Sequence, residues 1–360
     1  MMIAHISDTH LGSMPYSIRE RAEDFYEEFS EAVDLIIKEG AEVVVHSGDI
    51  FDSPKPPGLA VNTLYEGLTK LKDKGIKFLY VLGEHDISRV RDMPFPYLMT
   101  KMGLAVYLGG NGSFSVKDVT FYGFNKHRRS EVEALMEKLK SLNRSEGKNV
   151  LVLHQGLYEF NQYAGEISAS DLPPWFDYYA FGHIHEAETR RISGLKGPIS
   201  YAGSTDESAG FNLVDLSGEE AVIHRIPLES SRKTFRFSVK YEEVESFVQE
   251  ALRQVSGLKK KPMVFVKVFG KNINRAKVNS YLNQLREASL LLQVKFEEEE
   301  EVFSLQERPS DIKTEMIKQA EKILGKEGVF AVSELLPLSE DPEDLAERLW
   351  KAFESGELDD

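Results

Sequence analysis

Tyr178-Tyr179-Ala180-Phe181-Gly182-His183-Ile184-His185 reads as a short apolar strand that empties into a loop carrying two histidines. Apolar residues closed by a glycine suit a buried strand, and open α/β sheets hold their ligands beyond the carboxyl ends of strands. Residues two apart on an extended backbone point the same way, and imidazole suits zinc, iron and related ions. Taken alone, the pair fits a polar loop as well as a metal site. Other strand ends decide between the two.

The same layout recurs upstream. Met2 to Ser7 is an apolar strand followed by Asp8, Thr9 and His10. Val43 to Val45 leads into His46, Ser47, Gly48 and Asp49, and Ile76 to Leu82 leads into Gly83, Glu84, His85 and Asp86. Asn149 to Leu153 ends in His154. Amphipathic helices over 19–40 and 57–74 separate the first three strands, the former with Ala22, Phe25, Phe29, Val33 and Ile36 on one face. Strand, helix, strand units imply parallel pairing through right-handed crossovers, which brings these carboxyl ends to one edge. Short strands near 105–108, 113–116, 119–124, 189–192, 198–201, 211–215 and 221–226, with a helix over 130–142, predict a doubled sheet with helices outside it, an α+β fold.

Asp8, His10, Asp49, Glu84, His85, His154, His183 and His185 therefore gather at one edge. A lone histidine ending a core strand is more often structural. Burying this many ionisable groups together is costly unless cations neutralise them. So many side-chain ligands exceed the needs of one tetrahedral ion and suit two, an arrangement that clamps the attacking and leaving oxygens of a phosphoryl displacement. The chain has no cysteine, and a mixed histidine and carboxylate set favours manganese, iron or zinc over a calcium-type cage.

Composition excludes several classes. Without cysteine, disulfide scaffolds and thiolate sites are impossible, and a reducing cytosolic setting fits. No apolar run approaches the roughly twenty residues of a membrane span, and the start of the chain lacks a signal-peptide layout, so a soluble cytoplasmic protein is expected, nucleoid-associated if prokaryotic. The formal charge of -15 over 360 residues argues against nucleic acid until it is divided. Residues 232–296 carry 14 Lys and Arg against 5 Asp and Glu, a local +9 inside an acidic chain. Such a unit fits a phosphate-facing surface or a solvated lysine-rich domain equally well.

That unit reads strand, helix, strand, helix, strand: 233–240, 244–255, 263–269, 273–286 and 290–296. Lys259, Lys260 and Lys261 precede the middle strand as candidate phosphate contacts. Glu297 to Glu301 opens an acidic linker, 297–310. Two amphipathic helices are expected within 311–360, one carrying Ile312, Met316, Ile317 and Ile323, the other Leu345, Leu349, Trp350 and Phe353. Neither buries its apolar stripe alone, so docking on a partner or on the chain's own core is expected.

Asp8-Thr9-His10, Gly48-Asp49, Gly83-Glu84-His85-Asp86, His154 and Gly182-His183-Ile184-His185 resemble the ordered motifs of the calcineurin-like metallophosphoesterases. His46-Ser47-Gly48-Asp49-Ile50-Phe51-Asp52, His154-Gln155-Gly156 and Tyr201-Ala202-Gly203-Ser204-Thr205 resemble more specifically the meiotic-recombination-eleven family, called SbcD in bacteria, the nuclease subunit of the DNA double-strand-break repair complex. The motifs cover most of residues 1–231; beyond them the resemblance is one of layout. It implies a four-layer α/β/β/α sandwich over 1–231, a small α/β capping domain at 232–296 that contacts DNA, and a helical tail at 311–360 that grips an SMC-like ABC ATPase. It also implies two manganese ions. Asp49 would bridge them, Asp8, His10 and His185 would complete one, and Glu84, His154 and His183 the other. His85 would serve the leaving oxygen as a general acid. A homodimer through 57–74 and 94–103 is implied too, with Leu98, Met99 and Met102 as its apolar patch.

Glu84 departs from the pattern, which has asparagine there. The added charge predicts tighter ion binding and a weaker Lewis acid. Exonuclease and endonuclease activity on DNA is the expected function. A generic metallophosphoesterase acting on a phosphoprotein or small phosphodiester, and a mainly architectural DNA-end-binding subunit, are the alternatives.

Overall fold

Apolar strands alternating with amphipathic helices build the first sheet. A computed structural model describes residues 1–88, 92–206 and 208–298. In it, β1 (Met2–Ile6), β2 (Val43–His46) and β3 (Lys77–Tyr80) are linked by α1 (Arg19–Lys38) and α2 (Gly58–Asp73) and pair in parallel. After α3 (Pro96–Lys101), β4 (Val106–Tyr107) extends the parallel edge.

The second sheet follows: β5 (Gly110–Val116), β6 (Val119–Phe124), α4 (Val132–Lys140), β7 (Lys148–His154), β8 (Tyr178–Gly182), β9 (Glu188–Arg190) and β10 (Ile199–Tyr201). Its strand order is β5-β6-β7-β8-β10-β9. The chain then returns through β11 (Gly210–Asp215) and β12 (Val222–Pro227), completing the first sheet in the order β12-β11-β1-β2-β3-β4.

Both six-stranded sheets are hydrophobic on both faces, as strands sandwiched between layers must be. Ile3, Val43 and Val45 face Phe121, Val150 and Tyr178 in a core between the sheets. Phe29, Val33, Leu64 and Leu68 seal α1 and α2 onto the outer face of one sheet, and Leu135 and Leu139 of α4 seal the other. Each such side chain contributes roughly 1.5–3 kcal/mol when fully buried. The result is the four-layer α/β/β/α sandwich. Among the described residues, no helix is long and apolar enough to cross a membrane.

A third sheet has three parallel strands, β13 (Thr234–Lys240), β14 (Met263–Gly270) and β15 (Leu291–Glu298), with α5 (Val244–Val255), α6 (Arg275–Tyr281) and α7 (Asn283–Ala288) between them. The helix expected over 273–286 breaks at Leu282, so α6 and α7 pack against the sheet as two pieces that bury Val278 and Leu285. Glu297 and Glu298, expected to open an acidic linker, continue β15 instead, pairing with Phe269 and Gly270 of the neighbouring strand, where Lys267 also meets Glu297 at 2.5 Å. The rest of that linker and the two helices expected within 311–360 lie outside the described residues.

α1 also anchors the small unit. Asp24, 2% exposed, accepts from Arg21 at 2.6 Å, from Arg232 at 2.6 and 3.0 Å and from Lys260 at 2.9 Å. Lys260 also reaches Glu27 at 2.7 Å and the Ser230 carbonyl at 2.7 Å. Of the three lysines expected to face phosphate, Lys260 therefore turns inward and spends its charge on α1, while Lys259 and Lys261 stay exposed. Met99, expected on a surface patch, is 3% exposed and belongs to the core; among the described residues, Leu59, Tyr65, Met93 and Met102 are the large exposed apolar residues of that region.

Candidate metal centre

Every residue singled out at a strand end arrives at one place, because parallel strands deliver their carboxyl ends to a common edge. The loops after β1 and β2 are zipped together by Asp8 N–H to the Gly48 carbonyl, 3.0 Å, and His10 N–H to the Asp49 carbonyl, 3.1 Å. Buried Asp86 ties the next loop to them, accepting from the backbone N–H groups of Ile50, Phe51 and Gly83 at 3.0–3.2 Å. Burial first, then the neighbouring Asp49 charge, pushes its carboxyl up to about 7.

Close approach of these loops requires glycine at two points. A Cβ on Gly48, whose φ is +100°, would strike the His154 ring, and one on Gly83 would strike the Asp49 carboxylate. The donor residues are themselves bent. Asp8, His10, Asp49 and His183 have φ of +50°, +40°, +54° and +94°, in the left-handed region that L-residues enter only when their surroundings impose it.

Ligand atoms within 4.8 Å of one another fall into overlapping groups. Asp8, His10 and His185 form one, with the Nε2 atoms of the two histidines 3.2 Å apart. Glu84, His154 and His183 form another: Glu84 places one oxygen 2.8 Å from His154 Nε2 and the other 2.8 Å from His183 Nδ1. Asp8, Asp49 and His154 form a third, between them, with Asp49 3.3 Å from His154 Nε2. His85 lies at the rim, donating its backbone N–H to Asp49 at 2.8 Å, with its Nδ1 2.8 Å from the Asp52 carbonyl.

The electrostatics call for cations. Burial opposes a charged His154, but Asp49, Glu84 and Asp8 outweigh it and hold the imidazole well above its usual range. Glu84 resists burial in the same way and is driven far below the usual carboxylate range by His154 and His183. Burial also disfavours an imidazolium at His85, yet Asp49 and the Asp52 carbonyl raise its pKa above 6.5.

The donor set fits divalent ions. His154 Nδ1 sits 2.8 Å from the Ser47 carbonyl, which fixes that nitrogen as an N–H and leaves Nε2, facing Asp49 and Glu84, as the nitrogen an ion would take in place of a proton. Among the described residues, the buried His10 Nδ1 has no hydrogen-bond partner. Oxygen and imidazole ligands without sulfur suit manganese-type ions.

Two residues here were not given a role by sequence reasoning. Asp52 joins His10 and His85 in a further group. Lys126 places Nζ 2.6 Å from Glu166 and 3.2 Å from His183 Nε2. It stands two residues beyond β6, so the rule that found the others, chemistry at a strand's carboxyl end, reaches it too. Lys259 and Lys261 lie on the small unit, away from this cluster's ligand groups.

Comparison with known proteins agrees with this fold. Residues 1–187 match the calcineurin-like phosphoesterase family. The DNA double-strand break repair protein Mre11 of Methanococcus maripaludis is 33% identical over 286 residues, covering 74% of this chain and 77% of that protein. The Mre11 of Sulfurisphaera tokodaii is 32% identical over 304 residues, covering 79% of this chain and 77% of that protein.

Proposed function

The chain belongs to the Mre11 family of calcineurin-like phosphoesterases and is a metal-dependent phosphodiesterase, and from that premise we propose that it is a manganese nuclease that cuts DNA, at ends and internally, in double-strand break repair. The observation that carries the reading is the convergence of seven donor side chains and His85 on one sheet edge, at the head of a cleft of about 1020 Å³.

Asp8, His10 and His185 would hold one ion and Glu84, His154 and His183 the other, with Asp49 shared. Two bound ions would supply Lewis-acid activation of a water and neutralise charge on the phosphate. The chain's own residues do the rest. Asp86 and the zipped loops hold the donors in place, so little reorganisation is needed. The Asp52 carbonyl accepts from His85 Nδ1–H and, with the Asp49 charge, favours the imidazolium, whose Nε2–H would give its proton to the leaving oxygen.

DNA would be held partly by Lys259 and Lys261. The exposed Leu59, Tyr65, Met93 and Met102 support a homodimer through 57–74 and 94–103, and residues 311–360 would bind an SMC-like ABC ATPase.

The test is hydrolysis of linear duplex DNA and of a chromogenic phosphodiester with manganese, by wild type and His85→Ser. Loss of the general acid should slow DNA cleavage by roughly 10²–10⁴-fold while leaving bound manganese unchanged. A wild type that cleaves the small diester but no DNA, with or without the ATPase, would replace this reading by that of a generic phosphoesterase.

A further inference from the structure

Parallel sheets ordinarily have both faces covered. Among the described residues, the β13-β14-β15 sheet has helices on one face only, where Val239, Val264, Val266 and Val268 pack with α5, α6 and α7. Alternation along the strands puts Arg236, Phe265 and Gln293 in one cross-strand row on the other face, and Lys267 beside Lys295 in the next. Arg236, Gln293 and both lysines are exposed.

Phe265 is the centre of this open face. The Arg236 guanidinium lies 5.2 Å from its ring centroid, and the ring of Tyr16 lies 6.0 Å away, tilted by 48°. Tyr16 comes from the other unit, in the loop that follows His10. It is 56% exposed, and its φ of +60° is a conformation an aromatic residue adopts only under constraint. The two rings line the same cleft as His10, His85 and His185, and Lys233 and Arg236 line it with them.

We propose that Tyr16 and Phe265 form a stacking subsite that takes an unpaired base of single-stranded DNA whose backbone runs on to the metal centre. The inference rests on the nuclease reading above and narrows its substrate. Aromatic rings stack on any base, because every base has a π-face, and flanking cations hold the phosphates. Inside a duplex those faces are already covered by neighbouring pairs, so the rings select a frayed, overhanging or extruded nucleotide. The cleft, about 1020 Å³, stands at the upper end of small-ligand size, and Lys233 and Arg236 belong to the stretch 232–296 with its net positive charge. The acidic lining does not oppose this at the aromatic end: Asp206 is paired with Arg21, Asp52 belongs to the metal centre, and Glu186 adjoins the metal-centre His185.

The experiment is fluorescence anisotropy with the full chain in EDTA, comparing labelled oligothymidine with an abasic oligonucleotide of equal length. Wild type should prefer the base-bearing strand by about tenfold or more. The preference should fall towards one in Tyr16→Ala and in Phe265→Ala and persist in Phe265→Trp. Equal binding of the two strands by wild type, or a preference that survives both alanine variants, overturns the subsite. If Phe265→Ala does not fold, the exposed Tyr16→Ala decides. Wild-type cleavage of DNA with manganese is scored separately, so an active nuclease without base preference loses only the subsite. An inert protein with base preference loses only the nuclease reading.

Discussion

At Glu84 two carboxylate oxygens reach two different histidines, each at 2.8 Å. An asparagine there presents one oxygen and one NH2 group, so only one of these contacts survives, and the site loses a negative charge. A unit charge about 4 Å away is worth up to about 4 kcal/mol at an effective dielectric near 20, and the 37% exposure of Glu84 reduces that. Glu84→Asn should therefore weaken manganese binding by about tenfold in calorimetry and raise turnover or change metal preference. Unchanged affinity and rate across manganese, cobalt and zinc would sink the idea. All eight strand-end residues of the site were legible because each follows an apolar run. The left-handed φ at Asp8, His10, Asp49 and His183 was not, since backbone strain leaves no compositional trace beyond the tolerance of Asp for that region.

On α1, a period of 3.6 explains the apolar face but not the acidic one. Asp24, Glu27, Glu28 and Glu31 lie on successive turns, a spacing that also suits a solvated helix. In the fold they meet the small unit. Asp24 serves three cations, and Glu31 accepts from the backbone of Glu229 and Ser230. Asp24→Asn leaves Arg21, Arg232 and Lys260 without their shared anion, and breaking such a buried pair costs about 3–5 kcal/mol. The expected outcome is a lower Tm with new proteolysis near 228–233, and an unaltered digest would show that docking does not depend on Asp24. Glu28 behaves differently. Both its oxygens are buried without a well-formed hydrogen bond, and burial first, then Asp206, pushes the carboxyl up to about 8. A raised acid gives stability that is fully present below the unfolded value near 4.5 and is lost as pH climbs to about 8. Glu28→Gln should flatten that decline, stabilising the protein at pH 8 relative to wild type, as read from urea melts at pH 5 and pH 8.

For the whole molecule, the arrangement of sheets followed from strand and helix alternation, because short connections and right-handed crossovers leave few alternatives. The relation of the small unit to the sandwich did not. It depends on long-range ion pairs such as Asp24 with Arg232, which no local pattern announces. The metal centre is also a whole-molecule property, since its donors come from β1, β2, β3, β7 and β8 together and disperse on unfolding. Ions bound only by the folded chain should stabilise it by about 2.7 kcal/mol at a hundred times Kd. Manganese should thus raise Tm and EDTA should reverse the gain, while a Tm indifferent to both would mean the donors do not form a binding site.

The cleft has one wall on each unit, and Arg21 and Arg232, the cations clasped by Asp24, are part of its lining. The clasp therefore holds the two walls at a set separation, the 6.0 Å between the Tyr16 and Phe265 rings included, so one buried joint acts as a spacer for the mouth of the metal centre.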